Sequence, residues 1–247
     1  MLDNLIHHRT IYVNPDYNDV AEFMENLPER FDVGEGEVIY KGRNEIRLMK
    51  WGEHSLVVKS FTKPYIINRI AYGILRGSKA KRSYLNALSF LSIGVGSPQP
   101  VAYMDVRDGI LLDKSYYVSL MSACPYVYED LFSTQAEHCE AVCREIGRIT
   151  AILHNNGFAH KDYGRRNILF KIQEDSKAYL EIVDLNRMTI GKIGFRDGCK
   201  NFERLPATPQ MHRWMAEEYA AGRGFDADEC YKLIVDFRKK DKGTEEI

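Results

Sequence analysis

Between Glu53 and Asp105 the sequence holds no acidic residue, although Asp and Glu together number 35 among its 247 residues. The same stretch carries Lys59, Lys63, Arg69, Arg76, Lys79, Lys81 and Arg82. The formal net charge is −1, so overall charge selects no partner, but a run this one-sided favours an anionic one. The run lacks the interleaved aromatics and motif context of nucleic-acid-binding modules, so no nucleic acid is expected. No apolar stretch approaches the roughly 20 residues that span a bilayer. The opening "MLDNLIHHRTIYVNPDYN" has no basic start, apolar run and small-residue cleavage site of a secretion signal. A cytoplasmic protein is the expectation.

Also missing are a C-x-x-C pair, an internal repeat and a low-complexity tract. The five cysteines, 124, 139, 143, 199 and 230, are an odd number. Cys139 and Cys143, with His138 beside them, would make half a metal site, but no second half is present elsewhere. Buried free thiols in a reducing compartment are the simpler account.

With 45% hydrophobic and 28% charged residues, the chain can bury one large domain or two small lobes. Residues 18–27 space Val20, Phe23, Met24 and Leu27 as one helix face, with Asn18 or Asp19 as cap and Pro28 as its stop. Alternating segments 37–40, 45–51 and 55–61, separated by Gly-containing turns, predict a three-strand meander. Helical spacing follows at 65–75 and at 78–93, the second capped by Ser78. Residues 101–106 and 115–121 predict a strand pair. From Gln135 to Asn156 a long apolar stripe predicts a helix that "NNG" ends. Two strands, 168–172 and 178–185, and a mostly helical tail over 200–240 complete the pattern. Near Ser122–Pro125 a sheet-rich half gives way to a helical half, and a hinge is expected there.

Within this order four polar residues form a constellation. Lys59 lies inside the third meander strand, where a cation is unusual unless it meets a charge. Asp162 and Asn167 follow the long helix in "HKDYGRRN", and Asp184 ends the later strand pair in "VDLN". Phosphoryl transfer from ATP needs these types: a cation on the α/β-phosphates, two oxygen ligands for Mg²⁺, and a carboxylate for the acceptor's proton. Lys59 would grip the phosphates, Asn167 and Asp184 would ligate Mg²⁺, and Asp162 would be the base. Asp162→Asn is then expected to abolish transfer without unfolding the chain. The H-x-D-x₄-N spacing alone arises by chance in roughly one chain per hundred of this length. Chance becomes a poor account once the upstream Lys strand and the downstream Asp are added.

These motifs, V-x-K, H-x-D-x-x-x-x-N and an Asp after a strand, resemble in order those of the protein kinases. The resemblance implies an α+β, bilobal protein-kinase-like fold. An N-terminal extension (1–30) would precede a small antiparallel-sheet N-lobe (31–123) and a reduced helical C-lobe (124–247). Arg166, immediately before Asn167, would then steady the γ-phosphate or the acceptor, while His160 would pack the loop. The turn "YKGRNEI" would cover the phosphates through Gly42, Arg43 and Asn44, although it has one glycine where protein kinases have several.

After Asp184, where "DLN" replaces D-F-G, no A-P-E segment follows, so a full peptide-docking lobe is not expected. "GSKAKRSYLNALSFLSIGVGSPQPVAY" (77–103), "YKGRNEI", "HKDYGRRNIL" and "VDLNRM" are similar to the bacterial lipopolysaccharide kinases, the Kdo and heptose kinase family. That resemblance spans about residues 36–206. It implies ATP and Mg²⁺ as cofactors and transfer of the γ-phosphate to a sugar hydroxyl of the lipopolysaccharide inner core. It also implies an anionic glycolipid or sugar acceptor and peripheral contact at the inner face of the inner membrane. One departure stands out. Kinases pair the strand Lys with a helix Glu, and here Ser83 stands near that place. Asp184 or a carboxylate from another strand would have to serve Lys59 until nucleotide arrives. An atypical protein or small-molecule kinase, and a nucleotide-binding pseudokinase, are the alternatives.

Overall fold

The computed structural model describes residues 7–62, 77–109 and 111–242, without the side chains of His7, Asp241 and Lys242. The helix expected at 65–75, with Lys63, Arg69 and Arg76, lies outside the described residues. Contacts cluster into two units, Met1–Leu88 with Pro98–Met121, and Ser89–Ser97 with Ser122–Ile247.

The first unit is built on a six-stranded sheet in the order β1-β5-β6-β4-β3-β2. Its strands are β1 (His7–Val13), β2 (Glu37–Lys41), β3 (Glu45–Trp51), β4 (His54–Phe61), β5 (Pro100–Asp108) and β6 (Leu111–Leu120), paired antiparallel throughout. Alternation along each strand sends side chains to opposite faces. One face places Met49, Leu56, Val58, Met104, Tyr116 and Val118 against Phe23, Met24, Leu27 and Phe31. Those four come from two short helices, α1 (Ala21–Glu25) and α2 (Leu27–Asp32). The other face carries Phe61, Tyr103 and Tyr117 against Ala80, Tyr84 and Leu88 of α3 (Lys79–Ser92). Each fully buried large side chain contributes about 1.5–3 kcal/mol, so a sheet covered on both faces is stable without disulfides. The five cysteines are free.

Three features differ from the sequence expectation. The segment 18–27 is not one helix: a 3-10 turn, Pro15–Val20, is capped by Asn14, and α1 follows. Pro28 does not stop a helix but sits in the first turn of α2, where its missing N–H would have had no partner anyway. β1 was not foreseen, and it extends the sheet by pairing Ile11 with Met104 and Val13 with Ala102. Ser78, by contrast, caps α3 as expected, its Oγ accepting the Lys81 N–H at 2.9 Å.

In the second unit, α4 (Cys139–Asn155), α6 (Pro209–Arg223) and α7 (Ala227–Lys242) are the long helices, with the short α5 (Phe195–Lys200) before them. Val142, Cys143, Ile146, Ile149 and Leu153 give α4 its buried stripe. At Gly147 the helix backbones of α4 and α6 nearly touch, since a Cβ there would lie 2.3 Å from the Met215 carbonyl oxygen. Two small sheets complete the unit: β10 (Ala178–Ile182), β9 (Ile168–Ile172) and β7 (Tyr126–Val127), and the pair β11 (Met188–Ile190) with β8 (Phe158–His160). Residues 89–97 join this unit, where Phe90 meets the ring of Phe158 and the Gly96 carbonyl accepts the Ile182 N–H at 2.9 Å. No described helix is long and apolar enough to cross a membrane.

Candidate active site

The loop after α4 is held in shape from several sides. Asn155 and Asn156 end the helix, and Gly157 turns the chain with φ +77. β8 then leads into residues 161–167. Tyr163, 1% exposed, bonds through its hydroxyl to Thr150 Oγ1 of α4 at 3.0 Å. Burial pushes the Tyr163 phenol well up from its ordinary pKa, so it stays neutral. Lys161 N–H donates to the Arg187 carbonyl, and Asn167 N–H to the Gly164 carbonyl. The loop therefore has little freedom.

His160 is 1% exposed and works as a brace. Its Nδ1 accepts the Asp162 N–H at 3.0 Å and its Nε2 donates to the Val183 carbonyl at 3.1 Å. Burial lowers its pKa, and one accepting nitrogen requires the neutral ring. Behind it, Asn201 Nδ2 donates to the His160 carbonyl at 2.7 Å. Asn201 Oδ1 in turn receives His154 Nε2 at 3.0 Å, and His154 Nδ1 accepts the Tyr219 hydroxyl at 2.9 Å. A relay of hydrogen bonds thus runs from α6 through α4 to the loop.

Asp162, Asn167 and Asp184 come together in this unit. Asn167 Nδ2 donates to the Asp162 carbonyl at 2.8 Å, which leaves its side-chain oxygen as the atom able to ligate a cation. The Asn167 carbonyl accepts the Val183 N–H at 3.0 Å, placing residue 184 next to it in the chain. β10 ends at Ile182, so Asp184 stands beyond the strand that the sequence had extended to 185. Its φ is +61, in the left-handed region that Asp tolerates better than most residues. Asn186 Nδ2 bonds its Oδ1. Backbone held in a sparsely populated conformation beside a polar loop is characteristic of functional sites.

The donor set suits Mg²⁺. A carboxylate and an amide oxygen are hard ligands, and this ion takes one or two protein oxygens together with phosphate oxygens and water. Among the described residues no group of three or more His, Cys, Asp or Glu side chains could hold a metal alone. A divalent ion here would be held by Asn167, Asp184 and the nucleotide's own oxygens.

Three arginines surround the loop. Arg165 Nε and Arg166 Nε lie 3.1 and 3.0 Å from the two oxygens of Glu129. The Arg166 bond, with Arg165 adding charge, holds the Glu129 carboxyl below the usual carboxylate range. Arg204 Nη1 donates to Asp162 Oδ1 at 2.6 Å. No local pattern marks Arg204, which lies 42 residues beyond Asp162 in a turn.

The expected nucleotide residues lie in the first unit. Lys59 on β4 pairs across the sheet with Ile46 and Tyr117, so its side chain shares the α3 face with Phe61. Its Nζ lies 5.3 Å from the centre of the Phe61 ring, and Lys79 Nζ lies 5.8 Å from the same ring. Gly42, Arg43 and Asn44 form the turn between β2 and β3, where Gly42 N–H donates to the Asn44 carbonyl at 3.0 Å. Gly42 and Arg43 are exposed. A strand carboxylate does lie on the α3 face, Asp105, buried with its pKa raised by desolvation against the pull of Ser78, Arg107 and Lys81.

An antiparallel sheet region followed by a helical region with this loop is a protein-kinase-like architecture. Over 96% of this chain and the whole of the other, the structure superposes on one described as WaaP in complex with acyl carrier protein, with a TM-score of 0.66 and 16% sequence identity. A microcompartment-associated aminopropanol kinase superposes with a TM-score of 0.56 and 14% identity, over 90% of this chain and 87% of that one. At these identities the likeness is one of fold. No curated protein matched in sequence. The model of the lipopolysaccharide kinase (Kdo/WaaP) family matches residues 77–221. The chain belongs to that family, which makes it a phosphotransferase of the kinase class.

Proposed function

We propose that the chain transfers the γ-phosphate of ATP to a sugar hydroxyl of the lipopolysaccharide inner core, on Kdo or heptose. One observation carries most weight: Asp162 and Asn167 share a braced loop, with Asn167 Nδ2 bonded to the Asp162 carbonyl, and Asp184, in a left-handed conformation, follows Val183, whose N–H bonds the Asn167 carbonyl. The family membership supplies the acceptor class.

Mg²⁺, when bound, supplies charge to offset that developing on the transferred phosphoryl group. Asn167 and Asp184 contribute its protein oxygens. Asp162 receives the proton of the acceptor hydroxyl as that oxygen bonds to the γ-phosphorus and the bond to the β-phosphate oxygen breaks, releasing ADP. Lys59 grips the α/β-phosphates, and the turn of Gly42, Arg43 and Asn44 covers them with backbone N–H groups and one extra cation. Arg166 steadies the γ-phosphate or the acceptor. The basic run, of which Lys59, Lys79, Lys81 and Arg82 are described, favours peripheral contact with an anionic membrane surface.

Radiolabelled ATP offered with deacylated core saccharide, a casein-like protein and aminoglycosides tests the acceptor. Label in the saccharide alone, lost in Asp162→Asn, is the expected result. Label in protein or aminoglycoside alone transfers the assignment to the alternatives. Stabilisation by nucleotide without turnover on any acceptor defeats the enzyme assignment.

A further inference from the structure

We infer that Arg204 is an acceptor-positioning residue, which holds the carboxylate of Asp162 while the site is empty and moves onto an anionic group of the acceptor when the acceptor binds. The inference rests on the assignment of Asp162 as the base. It goes further by naming the residue that reads the acceptor's charge.

Three observations carry it. Arg204 Nη1 is 2.6 Å from Asp162 Oδ1, so a cation sits directly on one oxygen of the carboxylate assigned as the base. The pair is open to water, with the Arg204 side chain 51% and that of Asp162 32% exposed. Such exposed pairs contribute little stability and are cheaply exchanged. Finally, Arg204 spends one donor on Asp162 and has no other partner among the described residues, while a guanidinium carries five donors in a fork suited to carboxylate or phosphate. Arg165 and Arg166, by contrast, both bind Glu129. Arg204 is thus a cation bonded to the base itself, and its single exposed bond is easily surrendered for a two-pronged one.

An acceptor bearing a carboxylate or a phosphate near its reacting hydroxyl offers Arg204 a two-pronged partner in place of the single bond. That exchange does two things at once. It anchors the sugar within reach of Asp162, and it leaves the Asp162 carboxylate open to the hydroxyl. A neutral sugar provides neither.

The test compares wild type, Arg204→Gln and Arg204→Lys on three deacylated core saccharides: intact, carboxyl-reduced and dephosphorylated. Arg204→Gln is expected to raise KM for the intact saccharide about 10- to 100-fold, the loss of a hydrogen bond between charged groups. On whichever neutralised saccharide lacks the recognised group, wild type and Arg204→Gln should have similar KM values, and that arm tells carboxylate from phosphate. Arg204→Lys should recover part of the loss. Equal loss by Arg204→Gln on all three saccharides overturns the inference, because a merely structural residue would behave so. Calorimetric binding of the saccharides without nucleotide separates this inference from the proposed function. If wild type binds the intact saccharide and Arg204→Gln does not, yet no transfer occurs, the proposed function fails and Arg204 keeps its role. If both bind it equally, Arg204 loses its role whatever the turnover, and if neither binds, both assignments fall.

Discussion

His160 accepts the backbone N–H of Asp162 at 3.0 Å while donating to the Val183 carbonyl at 3.1 Å. One buried ring therefore ties the candidate base to the strand end that presents Asp184. Its role follows from geometry and not from proton transfer, since both ring nitrogens are already engaged. Replacing it with Ala leaves an N–H and a carbonyl without their partner, at about 1–3 kcal/mol for each such group. His160→Ala should lower the urea midpoint accordingly and reduce kcat through a loosened loop. Unchanged stability with lost activity would instead assign His160 to the chemistry.

Asp184 bears on both conformation and charge. In Asp184→Asn the left-handed backbone remains acceptable, because Asn visits that region about as readily as Asp. The negative charge of the proposed metal ligand is lost. The variant should melt within about 0.5 kcal/mol of wild type, as isosteric replacements outside a packed core usually do. Stabilisation by ATP with Mg²⁺ should be lost, while any stabilisation by ATP with EDTA should be the same in both proteins. Thermal shifts with and without the metal measure the difference directly.

How much of this was legible beforehand depends on the range of the interactions. The meander, α3 and α4 announce themselves by apolar spacing, because each buries a face whose period is written locally. The bond between the Asn167 side chain and the Asp162 carbonyl follows from fixed spacing within one turn, which is written locally. β1 was not, since "HHRTIYV" has few apolar residues and becomes a strand by pairing with β5. β7, β8 and β11, two or three residues each, are strands only because of their partners. Pro28 was misread because the same residue that ends one helix can open the next. Arg204 and Asn201 reach the loop from about 40 residues away, and no local pattern marks either. Tyr163 carried a faint signal as the one aromatic within "HKDYGRRN".

His154 gives the relay behind the loop a pH dependence. Burial holds its pKa down at about 4, against an ordinary 6.5. Between these values the unfolded chain binds a proton that the folded chain does not, so stability rises with pH across that window. The neutral ring's contribution is complete above pH 6.5 and is lost as pH falls toward 4. The expected loss is about 3 kcal/mol over the window. Denaturant unfolding at intervals from pH 7 to pH 4.5 should show this slope, and His154→Gln should show a shallower one. Parallel slopes for both proteins would place the titration elsewhere.

Gly147 sets two local effects against each other. In a helix interior Ala is favoured over Gly by about 1 kcal/mol, so Gly147→Ala would stabilise an isolated α4. Here the new Cβ would lie 2.3 Å from the Met215 carbonyl oxygen and 2.9 Å from Glu218 Cβ. The first of these is backbone and cannot swing aside, so α6 must move. Overpacking of this kind costs about 1–3 kcal/mol, which exceeds or cancels the helical gain. The displacement should also reach the chemistry, because Tyr219 on α6 bonds His154, which bonds Asn201, which bonds the His160 carbonyl. Gly147→Ala is therefore expected to lower both the urea midpoint and kcat, while leaving KM for ATP near wild type. A variant more stable than wild type would mean that the two helices are not held at this separation.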